Sequence, residues 1–191
     1  VGKTNWVWKH AVLDSIDFIK NSQDVDGHIY YFSLELSKHE MISKLFANLL
    51  FQRFGKQYSR NVLMSVGTER LTDEEVAFIE IECKPYLEFV DSKLTILDGS
   101  WTPDKMLAFI TQNLKNTNSQ TFTNIVIVDT TNAIGADSGQ SKVEALKKWN
   151  QEYCLQILRN EKNTANILLQ QQDKNSSTRQ YTNRGESVMD K

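Results

Sequence analysis

The run Ile125-Val126-Ile127-Val128 constrains this chain most: four consecutive β-branched residues lead directly into Asp129. An unbroken apolar run of this kind reads as a strand covered on both faces, since a half-exposed strand would alternate apolar with polar. Three shorter runs repeat the pattern: Ile29-Tyr30-Tyr31-Phe32, Leu94-Thr95-Ile96-Leu97 and Ile167-Leu168-Leu169. Between them the apolar spacing changes to that of helices. Trp8, Val12, Ile16 and Ile19 form one stripe; Ile42, Leu45, Phe46 and Leu49 a second; Val76, Ile79 and Cys83 a third. Met106, Leu107, Ile110 and Leu114, then Leu146, Trp149, Tyr153 and Ile157, complete the set. Strands alternating with helices predict an α/β fold with a mainly parallel sheet flanked by helices on both faces.

Local signals mark where the elements start. Ser37 with Glu40, and Thr72 with Glu75, have capping-box spacing. Pro103 follows Thr102 as a first-turn proline, and Pro85 interrupts the stripe before it. Residues 52–70 read as a loop or broken helix, and residues 135–140 as a flexible loop. The chain has 191 residues, enough for one domain or a large piece of one, and it shows no internal repeat or linker. Its net charge of -2 argues against coating nucleic acid by bulk charge, though not against holding DNA with a few loops. No apolar run approaches the ~20 residues that span a bilayer. Cys83 and Cys154 lack metal-ligand spacing and read as reduced, half-buried thiols of a cytosolic protein; His10, His28 and His39 form no cluster and read as surface or helix-end residues.

Three short stretches carry chemistry. Gly2-Lys3-Thr4 matches the last three positions of the phosphate loop G-x-x-x-x-G-K-[ST] and precedes the first helical stripe. In that loop, backbone N–H groups and the lysine hold phosphates, and the hydroxyl binds Mg²⁺. A solvated turn before a helix is the competing reading of these three residues. Glu35 lies just past the apolar run Ile29-Tyr30-Tyr31-Phe32, before a capped helix. In an open α/β sheet that is the ligand edge, where a carboxylate can polarise a water for attack on a γ-phosphate. A solvated loop glutamate is the plain alternative. Asp129 closes the strongest strand, as does the Walker B carboxylate that serves a bound Mg²⁺; a turn-forming aspartate is its alternative.

Taken together, VGKTNW, YYFSLELSKHEMISKL, NIVIVDTTNAI and NILLQQQDKN stand in the order found in the C-terminal RecA-like ATPase domain of DnaB-family replicative helicases, which residues 1–174 resemble. FSLELS, similar to the family's FSLEMS, is the most specific element. The resemblance implies a RecA-like P-loop NTPase fold that binds ATP and Mg²⁺. It implies that Gly2, Lys3 and Thr4 contact phosphate, that Thr4 and Asp129 serve the metal, and that Glu35 activates water. Gln171 aligns with a glutamine coupling the γ-phosphate to DNA-binding loops, which would fall near residues 135–142 and 173–187. Also implied are single-stranded DNA as partner, self-association into a ring of hexamer type with an arginine supplied by a neighbour, and a primase or helicase loader as a further partner. A bacterial or phage-infected cytoplasm would be the setting, with no membrane.

Departures accompany the match. Thr130-Thr131 replaces a tyrosine and an apolar residue, Gln170 and Gln172 flank the sensor position, and Lys174 stands where arginine is usual. The family's fold has a strand before the phosphate loop and further strands after the sensor, so residues 1–191 are expected to be part of a larger domain and not to hydrolyse ATP in isolation. A sheet interrupted at an interior strand would leave backbone groups unpaired. Two alternatives stay open: a RecA- or KaiC-like recombinase or signalling ring, and a non-catalytic ATP-binding scaffold.

Overall fold

The computed structural model describes residues 2–115 and 118–170. Four parallel strands, β1 (Asp26–Ser33), β2 (Leu94–Asp98), β3 (Phe122–Asp129) and β4 (Thr164–Leu169), form one sheet in the order β2-β1-β3-β4. The helices are α1 (residues 3–21), α2 (Lys38–Phe54), α3 (Arg60–Leu63), α4 (residues 73–82), α5 (Lys84–Lys93), α6 (Pro103–Asn113) and α7 (residues 142–161). Parallel neighbours need a crossover, and α2–α5 and α6 supply those between β1 and β2 and between β2 and β3. The described strands pair without a gap: β1 and β3 run in register over eight residue pairs, from Asp26 with Phe122 to Ser33 with Asp129.

Each strand feeds both cores, because successive side chains point to opposite faces. Ile29, Tyr31 and Ile127 pack with Val12 and Ile16 of α1, Met41 and Leu45 of α2, and Val90 of α5. Tyr30, Phe32, Val126 and Val128 pack on the other face with Met106 and Ile110 of α6 and Trp149 and Leu158 of α7. Phe32 is fully buried, edge-on to Trp101 at 5.2 Å between centroids and to Phe109 at 6.5 Å. Both capping boxes form as expected, at Ser37 with Glu40 and Thr72 with Glu75. Helix α2 ends at Gly55, whose left-handed φ of 66° lets its N–H reach the Phe51 carbonyl. Pro85 lies in the first turn of α5, so it starts a helix rather than bending one. Helices α1, α4 and α7 each contain a wider, π-helical stretch, over Trp8–Leu13, Phe78–Glu82 and Lys148–Glu161.

Three side chains sit differently from their sequence reading. Cys83 and Cys154 are free, as expected, but fully buried rather than half-buried. Val76 is exposed, because only the Ile79–Cys83 side of α4 meets Leu50 of α2. His28 is neither a surface nor a helix-end residue. Strand β1 begins at Asp26, so His28 lies inside the sheet, 2% exposed, with Nε2 2.8 Å from Thr95 Oγ1 and Nδ1 3.2 Å from Lys115 Nζ.

Burial, and then the Lys115 charge, pull the His28 pKa down from 6.5 to about 4. The folded protein thus keeps His28 neutral where the unfolded chain would protonate it. Its contribution is whole above pH 6.5 and is lost as pH falls toward 4, where the unfolded state binds the extra proton. Such a shift is worth on the order of 3 kcal/mol. The difference in melting temperature between the full-length protein and a His28→Gln variant is expected to be constant above pH 6.5 and to shrink as pH falls from 6.5 toward 4. Parallel curves would assign the acid sensitivity to carboxylates such as Asp26 alone, whose pKa is lowered by its bonds to Lys93 and Gly27 against the opposing effect of burial.

Candidate functional site at the carboxyl edge of the sheet

Because all four strands are parallel, the residues that end them share one edge. The chain passes from β1 outward to β2 and then back across to β3 on the other side of β1. The carboxyl ends of β1 and β3 therefore flank the point where strand order reverses, the place where open α/β sheets form their ligand crevice. Glu35 follows β1 and Asp129 ends β3, so the two carboxylates proposed from sequence arrive at this one crevice.

Short contacts hold its floor. Leu34 N–H donates to the Asp129 carbonyl at 2.7 Å, and Ser33 Oγ donates to the Leu36 carbonyl at 2.7 Å. The first ties the loop carrying Glu35 to the end of β3, and the second closes that loop on itself. A cis peptide joins Asp129 to Thr130. Thr130 is buried, and its hydroxyl donates to Glu35 Oε1 at 3.2 Å. This gives Glu35, itself exposed, a fixed partner. The Thr130-Thr131 departure thus supplies a hydroxyl where a tyrosine stands in the resembling family. Sequence reasoning marked the pair as unusual and attached no role to it.

Asp129 is 4% exposed, with Oδ2 accepting from Tyr31 Oη at 2.8 Å. Its Oδ1 is buried and accepts no hydrogen bond among the described residues. A buried, unpartnered carboxylate oxygen is costly unless something else meets it. A metal-bound water is one such partner. Tyr31 lies deep in the sheet, and burial followed by the Asp129 charge pushes its phenol well above the ordinary range, so it remains a neutral donor. No sequence signal assigned it a role, because it stood within an apolar run.

The remaining sequence candidates lie at the start of α1. Gly2 caps that helix with a left-handed φ of 96°, and its carbonyl receives Trp6 N–H at 2.9 Å. No side-chain hydrogen bond caps this end among the described residues, and the first N–H groups of a helix are the donors that an anion site uses. Lys3 is exposed and donates through Nζ to the Gln170 carbonyl at 2.5 Å, which puts it beside the end of β4 on the same sheet edge. Thr4 is half-buried one residue on. Lys44 of α2 donates to Asn5 Oδ1 at 2.6 Å and ties that helix to the same turn. Gln171 and residues 173–187 lie outside the described residues, so the sensor and second-loop assignments have no structural counterpart here.

No group of three or more His, Cys, Asp or Glu side chains is placed to hold a metal among the described residues. A resident all-protein metal cage is therefore absent from them. A hydroxyl and one carboxylate do fit Mg²⁺ brought with phosphates, which keeps most of its waters. A cavity of about 580 Å³ lies against β4 and α7, lined by Asn150, Cys154, Arg159, Asn163, Thr164 and Asn166 among others. It contains no carboxylate, so chemistry rather than size locates the candidate site.

This arrangement defines an α/β protein of RecA-like fold, with a parallel sheet, helices on both faces and its candidate site at the switch point. No family model matches the chain, and no curated protein does. Among solved structures, it is similar to a DnaB-like replicative helicase described with its interactions with primase. The TM-score is 0.56 at 17% identity, over 89% of this chain and 37% of that one. The chain therefore spans little more than a third of that protein's length, and the likeness is one of fold. No helix among the described residues is long and apolar enough to cross a membrane.

Proposed function

We propose that this chain is the ATP-hydrolysing part of a DNA helicase motor. The observation that carries the reading is the meeting of Glu35 and Asp129 at the switch-point crevice, on the same sheet edge as Lys3. In this reading Lys3, the α1 N-terminal N–H groups and Thr4 bind the phosphates of ATP. Thr4 and Asp129 would hold Mg²⁺, which would supply neutralisation of the phosphate charge. Glu35, steadied by Thr130, orients a water in line with the γ-phosphate and takes up its proton. Coupling through Gln171 to loops at residues 135–142 and 173–187 would convert hydrolysis into movement along single-stranded DNA. Self-association into a ring, with the hexamer as the expected form, would supply an arginine from a neighbouring subunit, and a primase or helicase loader would be a further partner. The expected setting is the cytoplasm of a bacterial or phage-infected cell.

The test is steady-state ATPase of the full-length protein with and without single-stranded DNA, beside Lys3→Ala. The expected result is a DNA-stimulated rate that Lys3→Ala lowers about 100-fold, the loss typical of one transition-state charge partner. A DNA-stimulated rate would leave a RecA-like recombinase as the alternative, whereas a rate indifferent to DNA would favour a KaiC-like ring or a scaffold. Nucleotide binding without turnover would favour an assembly scaffold.

A further inference from the structure

We propose that Tyr31 is a positioning residue for Asp129, an inference that rests on the ATP reading of the site. Tyr31 and Asp129 lie on strands that pair in register, and Ile127, the direct neighbour of Tyr31, belongs to the α1-facing core. Side chains two residues apart on a strand share a face, so Asp129 falls on the α1 side as well. Tyr31 is fully buried there, with its ring edge-on to Trp8 of α1 at 5.8 Å between centroids. Trp8 lies one helical turn beyond Thr4, whose carbonyl accepts the Trp8 N–H. Tyr31 therefore stands between the helix that begins with Lys3-Thr4 and the carboxylate that ends β3.

Its hydroxyl does two things at once. By donating to Oδ2 it fixes the rotation of the Asp129 carboxylate, and it leaves Oδ1 as the oxygen without a protein partner. A phenylalanine would keep the ring against Trp8 and lose only this constraint. Tyr31 thus acts on the metal-serving oxygen through Asp129, with no contact of its own to phosphate.

The experiment measures ATP binding to the full-length protein by calorimetry and by the rise in melting temperature, first in EDTA and then across a Mg²⁺ titration. Tyr31→Phe is expected to raise the half-saturating Mg²⁺ concentration about tenfold, while metal-free ATP binding stays within about twofold of wild type, the divergence a positioning role requires. In an Asp129→Asn background the same Tyr31→Phe change is expected to move Mg²⁺ dependence by less than about twofold, since coupled residues are not additive. 3-Fluorotyrosine in place of Tyr31 keeps ring and hydroxyl and is expected to restore the wild-type dependence, which also covers the case of a poorly folding Tyr31→Phe. An unmoved Mg²⁺ dependence, an equal loss of metal-free binding, or additive effects with Asp129→Asn would overturn the inference. Wild-type protein that binds no ATP at all would overturn the functional reading and this inference with it, and so separates the two failures.

Discussion

Glu35→Gln is expected to lower ATP turnover of the full-length protein roughly a thousandfold, within the range assigned to a general base. The substitution keeps side-chain length and an oxygen that can accept from Thr130, so the loop after β1 should hold its place. What is lost is the negative charge that polarises water and the basic oxygen that takes its proton. Apparent ATP affinity is expected to stay within a few fold, because Glu35 acts at the transition state rather than on the bound ground state. Steady-state rates and ATP affinity measured on the same preparation check both halves. A turnover within threefold of wild type would remove Glu35 from the chemistry and leave the crevice as a binding site.

Phe32→Ala is expected to cost the fold about 3–5 kcal/mol, the usual penalty for truncating a fully buried aromatic. Phe32 is 0% exposed, on a central strand, and meets Trp101 and Phe109 edge-on. Its neighbours belong to an apolar cluster with Met106, Ile110 and Trp149, so transfer and cavity terms add. In a domain of this size that corresponds to a fall in melting temperature of roughly 10 °C. Phe32 is three residues before Glu35, and its ring anchors the end of β1 from which the FSLE segment departs. Turnover is therefore expected to drop even at temperatures where the variant stays folded. Melting curves and activity below the transition check the two effects separately; an unchanged melting temperature would show that the α6 face is not the core it forms here.

Much of the candidate site was legible in the sequence because its signals are local. Phosphate-loop spacing at Gly2-Lys3-Thr4, a carboxylate just past an apolar run, and an aspartate ending a β-branched run each need only a few neighbouring residues to recognise. Strand boundaries were less legible: β1, β3 and β4 extend over His28, Asn124 and Thr164, polar residues that apolar patterning excludes. Backbone pairing, not side-chain apolarity, sets strand length, and His28 was misplaced for that reason.

By itself, then, the sequence determined the α/β class, the parallel sheet and the placing of Glu35 and Asp129 at strand ends. These follow from periodicity and from local propensity. Only the tertiary structure decided that β1 lies beside β3, that the two carboxylates share one crevice, that Thr130 holds Glu35, and that Tyr31 holds Asp129. The last two are hydrogen bonds between residues 95 and 98 positions apart, whose partners are chosen by strand order and register. Strand order is set by how helices of both faces pack across the whole sheet, and no local stretch of sequence contains that information.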